Sequence, residues 1–317
     1  MVLPALKSGT SWVWKNKKVV MIYYFFNLIF GLIIIFPLRS SLKQYLGSSM
    51  MGKLLAGRIN MDFLIEFLLN NKHVVPSLLG MVFIASLLYW LSHLFLSGGT
   101  LSLLANNQNY SAEPFWGKCA RFLGRFLRLF LLSIPLLLIL LSLQYIVTGV
   151  EKLFWGSDPY ENVIYWGKWI KAFVRGFGLI LYMIVFDYAR IFTIHTDSRR
   201  MRTAMWESMM FCRKNFGNVF MLAFTFSLIT YLSLFIYNPV ANLLSAPYGV
   251  VIFGLFLWQQ LYMIFRMGIK VSLLGGEVYL FQHFSQPADT SEESLSSEAV
   301  PTMHETNEDE GIPPETE

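Results

Sequence analysis

The chain has 317 residues, of which 55% are hydrophobic and only 14% are charged. Soluble domains carry about 25% charged residues, and the apolar residues here come in long blocks, so the composition excludes an ordinary soluble domain. The formal charge of +5 hides a split, because residues 1–284 contain all 25 Lys and Arg with 10 acids, whereas residues 285–317 contain 10 acids and no Lys or Arg.

Six apolar blocks are long enough, or nearly long enough, to cross a bilayer, whose core of about 30 Å needs about 20 residues of helix. The predicted spans are 19–38, 77–97, 129–149, 172–189, 216–237 and 249–265. The sequence therefore predicts an all-α polytopic membrane bundle of six transmembrane helices, with a membrane domain over residues 1–284. The first block follows three lysines but lacks a small-residue cleavage site, so we expect a retained helix and no cleaved signal peptide.

Positive charge sets the expected orientation, because cytoplasmic loops of membrane proteins are enriched in Lys and Arg. With six spans, one side of the membrane carries 16 basic residues and the other side carries 9. The side with 16 comprises the N-terminus, segments 98–128 and 190–215 and the end of the sixth span. We therefore expect both termini in the cytoplasm. Segment 285–317 has too little apolar content to fold, and we expect a disordered acidic cytoplasmic tail.

Segment 111–130 predicts a basic amphipathic helix before the third span. Four cations step by 3, 4 and 3 residues and therefore share one helix face, beside an apolar stripe. The cations are Lys118, Arg121, Arg125 and Arg128, and the stripe is Phe115, Cys119, Phe122, Phe126 and Leu129. Ser111 or Glu113 could cap the helix start. Such a helix suits the membrane–water interface, where its cations would contact anionic headgroups.

Segment 198–214 repeats this pattern before the fifth span. Its apolar stripe consists of Met201, Met205, Met209 and Cys212, and Asp197 is the expected cap. Arg199, Arg200 and Arg202 would then lie in the first turn, where the helix dipole disfavours cations. Their benefit must come from outside the helix, either as contacts to anionic lipid or as charges that fix the loop in the cytoplasm, and both can hold.

Three parts of the chain share one plan, which predicts a triplicated helical hairpin. Each part has a basic amphipathic stretch, a span, an external loop and a returning span, and the parts begin near residues 3, 111 and 197. Two returning spans also end alike, as LFLSGGTLSLL at 94–104 and VSLLGGEVYLF at 271–281. We expect the Gly pairs to let these helices stop or bend. Chance likeness between aromatic-rich membrane segments is the alternative.

The longest external loop, 39–76, contains two stretches that predict short helices on or against the outer face. They read SLKQYLGSSMMGKLLAG and NMDFLIEFLLNNKH, the second capped by Asn60.

Few polar side chains within the predicted spans are candidates for function, and we single out Asn27, His93, Asp187, Gln259 and Gln260. A carboxylate in a membrane helix is a functional candidate by default. Asp187 lies at the inner end of the fourth span, Arg190 follows one helical turn later, and Arg266 has a comparable depth in the sixth span. We favour an ion pair that fixes the cytoplasmic rim over a proton- or ion-coupling role.

Three segments resemble a family of bacterial six-span membrane proteins to which no activity is assigned. They are YLGSSMMGKLLAGRINMDFLIEF at 45–67, FLSGGTL at 95–101 and VFDYARIFTIHTDSR at 185–199, which match the FLxGG and FDYARI motifs of that family. The resemblance covers most of residues 1–284 and omits the acidic tail. It implies a bacterial cytoplasmic (inner) membrane and the six-span topology, and it leaves the activity open.

The sequence contains no nucleotide-binding, nucleophile-elbow or zinc-protease pattern, and its five histidines have no metal-ligand spacing. We therefore predict no enzymatic activity, cofactor, metal or nucleic acid. The leading hypothesis is a non-enzymatic scaffold or lipid-contacting membrane component, with anionic headgroups as partners. The alternative is a transporter or permease-like subunit that uses Asp187, His93 and the Gln pair. A polar cavity reaching mid-membrane would favour transport, and a packed apolar core would favour a scaffold.

Overall fold

The computed structural model describes residues 1–47, 61–70, 74–156, 160–243 and 248–285, in which all regular secondary structure is α-helical. The helices are α1 (Val2–Lys15), α2 (Lys17–Leu46), α3 (Met61–Asn70), α4 (Val74–Ala105), α5 (Ala112–Trp155), α6 (Glu161–His195), α7 (Met201–Lys214), α8 (Phe216–Leu243) and α9 (Gly249–Ser285). Residues Met1–Phe281 form one compact unit. The second unit begins at Gln282, and its described residues, 282–285, are helical.

Within the described residues, six helices are long and apolar enough to cross a membrane, namely α2, α4, α5, α6, α8 and α9. Their outer faces carry large apolar side chains that are more than half exposed, including Phe25, Ile35, Leu138, Phe235 and Phe253. So much exposed apolar surface is unfavourable in water and favourable against lipid tails. The predicted all-α polytopic membrane bundle is therefore confirmed.

Each predicted span lies inside a longer helix. The fourth span was predicted to end at residue 189, but α6 continues to His195. The sixth was predicted to end at residue 265, but α9 continues for 20 more residues to Ser285. Hydropathy alone misses these extensions, because charged residues interrupt the apolar runs at points where the helices do not end.

The basic amphipathic segment before the third span is the first part of α5, continuous with that span over 44 residues. At 1.5 Å per residue α5 is about 66 Å long, roughly twice the hydrocarbon thickness. Its predicted apolar stripe packs inside the bundle, with Phe115, Cys119 and Phe126 fully buried. Ser111 is the N-cap residue, as one of the two predicted caps, but its side chain donates or accepts no capping hydrogen bond among the described residues.

The Gly pairs do not end their helices, which was one of the two expected outcomes, because both pairs lie within continuous helices. They permit close helix crossings instead. A Cβ atom added at Gly99 of α4 would lie 2.5 Å from Cys119 Sγ of α5. A Cβ atom at Gly275 of α9 would lie 2.8 Å from Gly9 Cα of α1, and one at Gly9 would lie 2.2 Å from the Ser272 carbonyl oxygen.

A third crossing joins α6 to α7. Ala189 of α6 and Ala204 of α7 are fully buried, and Ser208 Oγ donates to the Val185 carbonyl oxygen at 3.2 Å. The predicted stripe of α7 is buried at Met201, Met205 and Cys212, whereas Met209 is exposed, so that residue was assigned wrongly. The small residues Ala204 and Ser208 take the buried positions on this face.

These crossings close a ring around one end of the bundle. Each returning span packs against the amphipathic helix of another part of the chain. α4 of the first part packs against α5 of the second, α6 of the second against α7 of the third, and α9 of the third against α1 of the first. A hydrogen bond from the Tyr110 amide to Asn16 Oδ1, at 2.7 Å, joins the first and second parts. We call this end, formed by α1, the first part of α5 and α7, the basic end. The common packing supports the predicted triplication.

Three predictions lie partly or wholly outside the described residues. The first helix predicted in loop 39–76 overlaps α2, which continues to Leu46, and then enters residues 48–60, which are not described. The second coincides with α3, although its expected cap Asn60 lies outside the described residues. The acidic tail lies outside them from residue 286 onward.

The α1–α9 crossing yields a stability prediction. Gly9→Ala places a methyl group against the backbone of Ser272, so we expect a loss of about 1–3 kcal/mol, as for overpacked cores. Gly31→Ala is the control, because a Cβ atom there meets nothing within 4 Å; it should be neutral or stabilise by about 0.5–1 kcal/mol. Thermal unfolding in a mild detergent measures both, and wild-type stability of Gly9→Ala would contradict the packing described.

Candidate functional site

A cavity of about 660 Å³ lies between the membrane helices, and all six span helices contribute to its wall. Polar residues face it from several sides, with Asn27 from α2, His93 and Ser97 from α4, and Ser227 and Thr230 from α8. Its volume falls in the range of about 300–1,000 Å³ that is usual for small-molecule sites. The bundle therefore contains a partly polar cavity beside its buried apolar core.

One face of α9 supplies a polar stripe to this cavity. Gln259, Arg266 and Lys270 all line it, at spacings of seven and four residues, which place side chains on the same face of a helix. Glu277 lies seven residues further along this face. The 18 residues from Gln259 to Glu277 cover about 27 Å, close to the full hydrocarbon thickness of about 30 Å.

His93 and Lys270 form a polar contact across the cavity wall, with Lys270 Nζ 3.0 Å from His93 Nδ1. An ammonium group has only donors, so Nδ1 must accept and the ring proton is on Nε2. The rings of Tyr23 and Tyr89 flank the imidazole, with centroids at 5.3 and 4.4 Å. His93 is only 8% exposed, and its Nε2 has no hydrogen-bond partner in the described part of the chain.

Asp187 and Arg190 form an ion pair on the wall contributed by α6. Both side chains are mostly buried, and the Arg190 guanidinium also lies 5.0 Å from the ring centroid of Phe186. Arg266, the other candidate partner for Asp187, lines the same cavity but forms no ion pair with a described carboxylate. The structure thus contains the first of the two pairings considered from the sequence.

The Asp187–Arg190 pair lies level with the junction between the basic first part of α5 and its apolar run, because the Arg190 guanidinium is 6.0 Å from the ring centroid of Phe126. α6 continues eight residues, or about 12 Å, beyond Asp187 to His195. The position at the cytoplasmic rim that the sequence favours stays a prediction.

The sequence reasoning missed two residues of this region, Lys270 and Glu277. Lys270 was counted only as an orienting charge, and Glu277 was read as part of the Gly-Gly segment. Glu277 is 3% exposed, and its Oε2 has no hydrogen-bond partner among the described residues. The seven- and four-residue spacing from Gln259 through Arg266 and Lys270 to Glu277 was the available signal, hidden because the sixth span was ended too early.

The predicted lipid-contacting cations divide into two groups. Arg121 and Arg125 donate to Asp197, each at 2.5 Å, so these two bind within the protein. The remaining cations of the prediction, namely Lys118, Arg128, Arg199, Arg200 and Arg202, lie at the basic end, and all except the half-buried Lys118 are exposed.

Asp197 does not cap α7, contrary to prediction. The N-cap residue is Arg200, without a side-chain cap, and Asp197 adopts a positive φ of 48° in the turn before it. The hydrogen bond from Arg125 holds the pKa of Asp197 below its ordinary value, and the charges of Arg125, Arg121 and Lys118 act in the same direction. Asp197 therefore clamps the 196–200 turn to α5.

No protein-family model matches the chain, and neither a curated protein nor a solved structure is significantly similar to it. The resemblance to bacterial six-span membrane proteins therefore stays a prediction. The function is inferred below from the cavity and its polar residues.

The Asp187–Arg190 pair yields a second prediction. Asp187→Asn leaves Arg190 buried without its partner, and breaking a buried pair in this way costs about 3–5 kcal/mol. Arg190→Gln in the same chain removes the orphaned charge and should recover part of that loss. Glu113→Gln, at an exposed carboxylate at the start of α5, is the control. Thermal unfolding in detergent compares the variants, and wild-type stability of Asp187→Asn alone would show that the pair has no structural role.

A third prediction concerns pH. A carboxylate whose pKa is lower in the folded state than in the unfolded state stabilises the folded protein at pH values above the unfolded pKa, which is near 3.8 for Asp197. This stabilisation is lost as the pH falls through the lower pKa of the folded state. Asp197→Asn should therefore lower the melting temperature at about pH 7 and make little difference near pH 3. Glu207→Gln, at an exposed acid of α7, should show no such convergence. An equal effect of Asp197→Asn at both pH values would contradict the clamp.

Proposed function

We propose that this membrane protein is a permease-like carrier that takes a polar ligand into its central cavity, with no catalytic step. The polar stripe of α9 carries the proposal, because Gln259, Arg266 and Lys270 all face the cavity. A ligand in the cavity would meet these polar groups over about 16 Å of the helix.

The energetics of charged groups in lipid support a carrier over a pure scaffold. Each charged side chain at the centre of a bilayer costs at least about 2.5–3.5 kcal/mol, and such residues mark substrate or ion pathways. A scaffold could fill its interior with apolar side chains and avoid this cost. Here Asp187, Arg190, Arg266 and Lys270 line one cavity, and a polar cavity between the helices is what we expect of a transporter.

The basic end is the cytoplasmic end in this proposal, and the membrane is the bacterial inner membrane. The clustering of Lys and Arg at that end supports the orientation through the positive-inside rule. A lipid-contacting role is a second candidate, because Arg128, Arg199, Arg200 and Arg202 are exposed there and could contact anionic headgroups at roughly 1 kcal/mol each. The two roles are compatible, since these arginines do not line the cavity.

Water access to the cavity tests the carrier proposal. Gln259→Cys and Ser227→Cys place thiols on the cavity wall, and Leu257→Cys and Leu228→Cys place them at similar depth on the outward faces of the same helices. Only a thiolate reacts, and thiolates form in water and hardly at all in lipid. In nanodiscs, a membrane-impermeant charged methanethiosulfonate should therefore label the cavity pair much faster than the outward pair.

The two native cysteines, Cys119 and Cys212, are buried and should give little background labelling. Mass spectrometry of the intact protein counts the adducts. Equal, slow labelling of all four variants would mean that water does not reach the cavity, and this would contradict a carrier and favour the scaffold.

A further inference from the structure

The charges that line the cavity are unbalanced, with three basic residues against one acidic residue. Asp187 is paired with Arg190, so Arg266 and Lys270 line the cavity without an ion-pair partner among the described carboxylates. Cations between membrane helices are stable only with a counter-charge or water. The surplus of positive charge therefore indicates an anionic occupant.

The neighbouring histidine adds a donor to the two cations. Because Lys270 donates to His93 Nδ1, the ring carries its proton on Nε2, and this N–H has no partner among the described residues although the side chain is more than nine-tenths buried. A buried donor left without a partner costs about 1–3 kcal/mol. An acceptor supplied by a ligand would remove that cost.

We propose that Arg266, Lys270 and His93 form a binding subsite for the phosphate group of the ligand. The inference rests on the carrier proposal and names its substrate class. All three side chains present donors, and a phosphate offers acceptor oxygens in several directions, including a bidentate pair for the Arg266 guanidinium. A cation, or a neutral ligand with few acceptors, would leave the two charges unbalanced.

The rest of the wall fits an apolar part of the same ligand. Tyr89, Trp90, Phe130 and Tyr182 line the cavity beside the basic residues, and aromatic surfaces of this kind bind the organic parts of small molecules. The phosphate could therefore belong to a soluble phosphorylated solute or to an anionic phospholipid. The two sources share the chemistry of the subsite and differ in the length of the apolar part.

The test measures the binding of two probes to the full-length protein in the phosphate-free detergent dodecyl maltoside. The first probe is inorganic phosphate, with chloride at equal ionic strength as its control. The second is dihexanoyl phosphatidylglycerol, with the zwitterionic dihexanoyl phosphatidylcholine as its control. A ligand that binds only the folded state raises the melting temperature in a concentration-dependent manner, which yields an apparent Kd for each probe.

We expect at least one probe to raise the melting temperature of the wild type. Lys270→Gln and Arg266→Gln should each weaken its apparent Kd at least about tenfold, because each removes a charge-assisted contact. Arg202→Gln, which removes the same charge at the exposed surface of α7, should leave Kd unchanged. Lys270→Arg keeps the charge and should keep most of the binding, which separates loss of the subsite from loss of folding.

Each outcome assigns or rejects the subsite. A shift with phosphate alone indicates a soluble ligand, and a shift with phosphatidylglycerol alone indicates a lipid headgroup. If neither probe raises the melting temperature, the inference is overturned. It is also overturned if Arg202→Gln abolishes binding and the cavity variants do not affect it. Fast labelling of the cavity cysteines without anion binding would overturn the phosphate subsite while leaving the carrier proposal intact.

Discussion

A charged side chain between membrane-spanning helices must find a counter-charge, a hydrogen-bond partner or water, because lipid tails provide none of these. Asp187 and Arg190 meet this requirement through each other, and Lys270 meets part of it through His93. Arg266 meets it through no described carboxylate. The cavity gives these cations a polar environment between the helices instead of lipid, and its position at the centre of the bundle follows from this constraint.

The close crossings at the basic end hold the helices that carry these charges. Gly9 lets α1 approach α9 until their backbones touch, directly beside the stripe that carries Lys270 and Glu277. The crossing of α4 with α5 at Gly99 holds the helix that carries His93. Asp197 then ties the end of α6, which carries Asp187 and Arg190, to α5. Tight packing at one end of the bundle therefore positions the polar groups, and the middle of the bundle remains open.

Composition and periodicity predicted the helical class, the six spans and the apolar stripe of α5, because burial in lipid and burial in protein both leave long apolar patterns. The role of the Gly pairs could not be predicted, since it depends on which helix approaches them. The stripe of α9 was missed for a related reason. Charges such as Arg190 and Lys270 resemble the end of a span in a hydropathy profile, and only their partners, Asp187 and His93, show that the helix continues.

The central claim is that one face of α9 is in contact with water through the middle of the membrane. A nitroxide scan of residues 256–272, one label at a time in nanodiscs, measures this directly through relaxation by a water-soluble nickel complex and by oxygen, which concentrates in lipid. The account predicts that access of the nickel complex peaks at Gln259, Met263, Arg266 and Lys270 and falls at Leu257, Leu261 and Phe265, in antiphase with oxygen. A scan in which oxygen dominates at every position, with no helical period in the nickel signal, would contradict it.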